Sequence, residues 1–424
     1  GIVHGDEYAI YTYGRGITNG DVTTVDNDQV TLNINGGRIE SSDGIAIGTN
    51  ASNGAYAGYT LNMTDGEVEG GITAMYLPAI GVNNISGGTI TGEQAIRIAS
   101  GELNITGGTL ISDGNSVEDI IAAKPGGASG ALVIGKAGTG YVGDLIVNVS
   151  GEARLVNSTT GENQTALYVT DKTMDNSSYD DVVIEVNIDG IEIDGDVLRT
   201  SGDSETNAKS DTTTLTIDSA AVTGDVINQS KNGGMTVNDS VVKGAVTVSD
   251  GNGTIAVLNS SVASKSGSGV ILVNTSVGDD EPTTDVGGNV AIVDGVGYTT
   301  LASAIAAADD GDTVTLVNDV NEKFSLTIQN KDITIAGNGF DATITPSAGA
   351  TTKAFSLLNS ELTLDGVNMT INGTENSNGN YDGTAFDVRN DGSVLNVVNN
   401  SVLNMNNLES AMAVSYTHLT LPTN

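Results

Sequence analysis

The chain has 424 residues, a formal charge of −37 from 53 acidic against 16 basic side chains, no cysteine and no tryptophan. That charge repels phosphate backbones and anionic lipid, which excludes nucleic-acid binding and electrostatic membrane docking as leading functions. The missing cysteine excludes a disulfide framework, and no apolar run reaches the roughly 18 residues that carry a helix across a bilayer.

A short phrase recurs from the start: an aliphatic residue, Asn, an aliphatic residue, then small polar residues with Gly. It reads Leu32-Asn33-Ile34, Leu61-Asn62-Met63, Asn84-Ile85, Leu103-Asn104-Ile105, Val147-Asn148-Val149 and Val186-Asn187-Ile188. The last apolar residues of these phrases lie 29, 22, 20, 44 and 39 residues apart, so each interval holds one or two units of about 20–29 residues. Such a period predicts a solenoid, in which a unit buries its apolar face only against its neighbours. Within each phrase, period-two alternation turns the aliphatics inward and the Asn outward. Rungs stacked about 4.8 Å apart would align these Asn side chains into a partial hydrogen-bonded ladder. The Gly residues that follow suit corners needing positive φ.

Downstream the phrase changes to Leu215-Thr216-Ile217, Met235-Thr236-Val237 and Ile255-Ala256-Val257, at spacings of 20 and 20. A second phrase keeps step with it: Gly195-Asp196-Val197, Gly224-Asp225-Val226 and Gly244-Ala245-Val246, at spacings of 29 and 20. Two in-phase strands per unit argue for a parallel β-helix over residues 1–273. Residues 274–298 read as an acidic Gly-rich linker with Pro282, closing in a small hairpin turned by Asp294-Gly295. A capping helix is predicted over 300–310, N-capped by Thr299 or Thr300. Leu301, Ala304, Ile305 and Ala308 form its apolar stripe, and Gly311 stands at its αL position. Strands after it, including 325–328, 333–335 and 362–364, predict a second stack over 299–413 whose open end the helix covers.

Both ends of the chain invite comment. It opens at Gly1 inside patterned sequence and is expected to be an internal piece, with any signal peptide outside it. Val414-Ser415-Tyr416-Thr417-His418-Leu419-Thr420-Leu421-Pro422-Thr423 resembles a translated transposon-type sequencing adapter, so residues 414–424 are expected to be an artefact of assembled DNA. For that reason neither His418 nor the sortase-like Leu421-Pro422-Thr423-Asn424 counts as a functional signal.

The run Tyr298-Thr299-Thr300-Leu301-Ala302-Ser303-Ala304-Ile305-Ala306-Ala307-Ala308-Asp309-Asp310-Gly311-Asp312-Thr313-Val314-Thr315-Leu316 resembles the opening helix and first strand of pectin-lyase-like right-handed β-helix domains. The repeats before it are similar to those of large secreted or wall-attached adhesin-like proteins of bacteria. The resemblance covers most of residues 30–413. It implies an all-β fold of two right-handed parallel β-helices in tandem and an extracellular or cell-surface location. It does not specify an activity, because the same scaffold carries lyases, hydrolases and binding proteins.

Lyase chemistry of that family would need a strong cation beside the abstracted proton, often with Ca²⁺ held by carboxylates. The six arginines, Arg15, Arg38, Arg97, Arg154, Arg199 and Arg389, are isolated in sequence, and polygalacturonase-like Gly-His-Gly and Arg-Ile-Lys motifs are missing. His4 is the one credible native histidine. Asp180-Asp181, Asp279-Asp280 and Asp309-Asp310 read as loop or helix-end acids. The best oxygen-ligand cluster for Ca²⁺ is Asp189, Glu192, Asp194 and Asp196, although alternation makes these acids equally suited to solvation. Gly337-Asn338-Gly339-Phe340-Asp341 resembles a calcium-binding nonapeptide but occurs once. Tyr8, Tyr11 and Tyr13 are candidate stacking faces for sugar rings, with packing inside a coil the competing assignment. Outward Thr214 and Thr216 belong to an array too irregular for ice binding.

No catalytic, cofactor or metal residue is assigned from the sequence, and no cofactor is expected. The expected function is a non-enzymatic extracellular adhesin-like scaffold. Its partners would be an extracellular glycan or a host or bacterial surface protein, with no nucleic acid and no membrane span. The alternative is a carbohydrate-active β-helix enzyme whose site lies in unrecognised sequence.

Overall fold

A computed structural model describes residues 1–12, 15–16, 30–49, 56–116, 127–135, 144–173, 183–201, 208–209, 213–231, 233–249, 253–347, 352–389 and 392–415. The chain divides into two compact units, Gly1–Asp285 and Val286–Asn424, each with its own apolar core. Both are all-β parallel β-helices, in which strands pair with the equivalent strand of the next rung rather than with their neighbours in sequence.

In the first unit each rung contributes to three strand columns. Early rungs carry the first two columns on one long bent strand: Val30–Ser41, Tyr56–Gly70, Ile80–Gly92 and Gly101–Ser112. The third column runs through Ile45–Thr49, Thr73–Leu77, Gln94–Ile98, Gly130–Ile134, Thr165–Thr170 and Asp196–Thr200, all parallel. Register places Ile34, Met63, Ile85, Ile105, Val149, Ile188, Ile217, Val237, Val257 and Leu272 in one inward column, all buried. Each such side chain is worth about 1.5–3 kcal/mol of burial, and the other inward columns of the same core add to it. Asn83 interrupts the neighbouring inward column. It accepts the Tyr59 hydroxyl at 3.0 Å and donates to the Glu102 carbonyl at 3.0 Å, which offsets the cost of burying an amide.

The long intervals resolve differently from a simple count of units. Asn104 pairs directly with Asn148, and Asn148 directly with Asn187, so the 44- and 39-residue intervals are single rungs. The inward columns keep their register across both intervals. The corner after the first column needs positive φ in every rung. Gly151 and Gly190 supply it, and then Ser219, Asp239, Asn259 and Asn274 do so at φ of 45–52°. Short polar side chains tolerate this region when they bond locally. Residues 274–285, expected as linker, belong to the first unit. Val270–Val277 continues the stack, and Thr283–Asp285 pairs antiparallel with it.

The second unit opens on a two-residue hairpin, Ala291–Val293 against Val296–Tyr298, turned by Asp294 and Gly295 at φ 50° and 77°. The helix spans Leu301–Ala307, shorter than the 300–310 read from sequence. Thr300 caps its start by accepting the Ser303 N–H. Its end comes at Ala308, whose backbone is extended, three residues before the positive-φ Gly311 could act. Leu301, Ala304, Ile305 and Ala308 are buried in the unit's core. Three parallel sheets follow. The first runs Thr313–Leu316, Ile333–Ala336, Glu361–Asp365 and Val394–Val398, and the second Val320–Phe324, Asp341–Pro346, Asn368–Asn372 and Val402–Asn406. The third runs Leu326–Gln329, Lys353–Leu358, Thr384–Arg389 and Ser410–Ser415. Phe355 and Phe386 stack at 5.3 Å within this core, with Phe324 edge-on to Phe355 at 5.4 Å. Ser410–Ser415 includes Val414 and Ser415 of the adapter-like run, whereas 416–424, with His418, lie outside the described residues.

Candidate functional site

The inward side chains close the core, so any site must be built from outward side chains and corners. On the first sheet the Asn phrases form one unbroken ladder. Asn62 Nδ2 donates to Asn33 Oδ1 at 3.0 Å, Asn84 to Asn62 at 3.0 Å, Asn104 to Asn84 at 3.2 Å, Asn148 to Asn104 at 3.1 Å and Asn187 to Asn148 at 3.2 Å. Each interior amide, from Asn62 to Asn148, thus spends a donor and an acceptor on its neighbours, and the ladder is chiefly structural.

Most of the acids near these strands are also engaged. Arg38 on the second sheet's outer face binds Glu40 and Glu69 and reaches Glu67 at 3.3 Å, while His4 meets Glu40 at 3.1 Å. The bond from Arg38 holds the Glu40 carboxyl below its ordinary range. At the corner into the third sheet, Asp196 Oδ1 accepts the Asp225 N–H at 2.8 Å, and Asp225 Oδ1 accepts the Ala245 N–H at 2.6 Å. Burial pushes the Asp196 carboxyl up against that bond, and the Asp225 charge adds to the rise. In the second unit Asp310 Oδ1 accepts the Asp332 N–H, and Asp332 Oδ1 accepts that of Glu361, both at 2.7 Å. Carboxylates at corners therefore continue the backbone ladder where strands end.

The four acids proposed for Ca²⁺ do not converge. Glu192 pairs with Arg154 at 3.0 Å, Asp194 accepts the Thr223 hydroxyl at 2.8 Å, Asp196 is spent on Asp225, and Asp189 is exposed. In the nonapeptide-like segment, Asn338 Nδ2 donates to the Leu316 carbonyl at 3.3 Å and Asp341 accepts from Asn368 at 3.0 Å. No group of three or more His, Asp or Glu among the described residues is placed to hold a metal ion. Asp279 and Asp280 are exposed, and Asp180 and Asp181 lie outside the described residues.

The arginines have separate tasks. Arg199 is fully buried inside the coil, against Asp171 at 2.8 Å, and Arg389 binds Asp387 at 2.7 Å together with Lys353 at 2.8 Å. Arg15 sits on the short strand Arg15–Gly16. Arg97 lies on the outer face of the third sheet, buried, with its guanidinium carbon 5.3 Å from the Tyr76 ring centroid.

That outer face is where aromatic side chains gather. Register aligns Tyr11, Gly48, Tyr76, Arg97, Val133, Tyr168 and Leu198 as one outward column. Ala128, Val133, Tyr168 and Leu198 form a small apolar cluster separate from the main core. At the other end of the column Tyr8 and Tyr11 remain 45% and 38% exposed. Their rings meet edge to face at 5.1 Å and 87°. A Cβ on Gly48 would stand 3.1 Å from the Tyr11 ring and 3.2 Å from the Tyr8 ring, so glycine lets both rings lie down on the sheet. Two of the three sequence-proposed stacking residues are thus presented on the surface, and Tyr13 lies outside the described residues. Sequence reasoning missed Gly48, Tyr76 and the ring-stacking task of Arg97. Their spacings of 28 and 21 residues match the rung period, which was the available signal.

No known family model matches the chain, and neither a curated relative nor a solved structure matches it.

Proposed function

We propose that the chain is a non-enzymatic, adhesin-like scaffold of a bacterial cell surface or secretion, which binds extracellular glycan or surface protein through the outer faces of its rungs. The observation that carries this reading is the division of labour among outward side chains. Many of the acids and amides are bonded to the next rung, while Tyr8 and Tyr11 are left exposed on the sheet. A carboxylate whose lone pairs accept backbone N–H groups is poorly placed to act as base or nucleophile. Exposed aromatic rings held on a rigid sheet give shallow contact at low entropic cost. The likeness of residues 298–316 to the opening helix of pectin-lyase-like domains supports the surface location.

The test is a paired assay on a polysaccharide panel, reading retention of the glycan on immobilised protein and release of reducing ends or unsaturated products. Retention without product is expected. Product formation abolished by one carboxylate substitution would replace this reading with the polysaccharide lyase or hydrolase alternative.

A further inference from the structure

We infer that Tyr8 and Tyr11, astride Gly48, form a stacking clamp for a neutral pyranose glycan. The inference rests on the glycan-binding reading above and names its ligand class.

Perpendicular rings at 5.1 Å offer two different surfaces at one place, the π-face of one ring and the edge of the other. A pyranose has an apolar C–H face and a rim of hydroxyls, so it can lie on an aromatic face while its rim reaches polar neighbours. Gly48 is buried beneath the two rings, and its missing side chain lets them settle against the sheet with their outer surfaces exposed. Its φ lies outside the left-handed region, so ring approach rather than backbone geometry is what requires glycine there.

Charge decides between neutral and acidic sugars. Asp6, Glu7 and Asp43, on the turns leading into these strands, are exposed, and Glu7 directly precedes Tyr8. Carboxylates accept hydroxyl hydrogens and repel uronate or sulfate groups. Among the described residues of this outward column the cation, Arg97, is buried and engaged with the Tyr76 ring, so it offers no counter-charge to an anionic ligand at the surface. Chain-wide, −37 works in the same direction.

The experiment uses the full 424-residue chain and calorimetric titration with three probes: a neutral β-1,4-glucan hexasaccharide, a neutral mannan hexasaccharide and an oligogalacturonate of the same length. At least one neutral probe is expected to bind and the oligogalacturonate is not. Combined Tyr8→Ala and Tyr11→Ala is expected to weaken neutral binding at least about tenfold, as loss of an aromatic anchor does. Tyr8→Phe with Tyr11→Phe keeps the rings and should keep most of the binding. Gly48→Ala, which lifts both rings, should weaken it with unchanged circular dichroism. Tyr381→Ala, an exposed tyrosine in the second unit, should change nothing. Neutral binding untouched by the Tyr8 and Tyr11 substitutions overturns the clamp while leaving the glycan reading in place. Preference for the oligogalacturonate, binding only to protein ligands, or no binding to any probe overturns the neutral-sugar assignment. Turnover of a probe overturns the underlying reading itself.

Discussion

Asp171 and Arg199 face each other inside the first unit, Oδ1 to Nη2 at 2.8 Å, with neither side chain exposed to solvent. Arg199 also donates to the Thr213 carbonyl at 2.9 Å and to the Gly234 carbonyl, and Ser230 donates its hydroxyl to Asp171. One guanidinium thus ties the end of a third-column strand to the first-column strands of the two following rungs. Gly233 makes room for it, since a Cβ there would come within 2.1 Å of Nη2.

Removing one member of this pair leaves the other buried and uncompensated. Arg199→Met is expected to cost about 3–5 kcal/mol. Because a rung touches only its neighbours, the loss should appear as local opening around residues 165–240 in hydrogen exchange, not as collapse of the whole unit. Combined Asp171→Leu and Arg199→Met should be milder than Arg199→Met alone. Equal or greater damage from the double variant would contradict that account.

The Asn ladder predicts a position-dependent effect. Asn84 makes two ladder bonds, to Asn62 and from Asn104, whereas Asn33 makes one. Asn84→Ala should lower stability by about 1–2 kcal/mol and Asn33→Ala by about half as much, read by denaturant unfolding. Equal effects at the two positions would mean that the amides act independently of one another.

The helix of the second unit is held at both ends by side chains from the stack. Glu322 accepts the N–H of Leu301 and, at 3.2 Å, that of Ala302. Lys331 Nζ donates to the carbonyls of Ile305, at 2.9 Å, and Ala308. Charges of these signs complement the helix ends and satisfy backbone groups that a seven-residue helix leaves open. Glu322→Ala and Lys331→Ala are each expected to cost about 1 kcal/mol. Faster exchange should be confined to the amides of residues 301–308, and protection unchanged in both variants would refute the clamp.

Acid should act on the second unit through Asp387. Burial pushes this carboxyl up, but the bonds from Arg389 and Lys353 and their charges outweigh it and hold it below the ordinary carboxylate range. A depressed folded pKa contributes stability above the unfolded value and loses it as pH falls through the folded one. Asp312 has the opposite sign: burial raises it, although the Asp309 N–H pulls the other way, so its contribution is present at low pH and lost as pH rises through its folded pKa. Asp387→Asn should therefore flatten the acid limb of the stability profile, and Asp312→Asn should relieve a penalty near neutral pH. Parallel profiles for wild type and Asp387→Asn in thermal scans below pH 5 would show that this carboxyl is not responsible.

Local chemistry made much of the architecture legible in advance. Alternation at Leu32-Asn33-Ile34 and its repeats puts aliphatics in and amides out whatever the distant partner, because successive side chains in a strand point to opposite faces. Thr300, Leu301, Ala304 and Ile305 mark a capped amphipathic helix for the same local reason, though its end was misplaced because Ala308 turns extended well short of Gly311. Alternation from Val197 also points Arg199 inward, where the structure buries it.

Register was decided by the tertiary structure alone. Nothing near Asn104 states that its ladder partner is Asn148, because an interval of 44 residues suits one rung or two. The same holds for Asp171 with Arg199 and for the two tyrosines that settle on Gly48, whereas the in-phase Gly195-Asp196-Val197 and Gly224-Asp225-Val226 had already aligned Asp196 with Asp225. Each is a meeting of residues 28 to 40 positions apart, and only the stacking of rungs, driven by burial of the shared aliphatic columns, brings them within bonding distance.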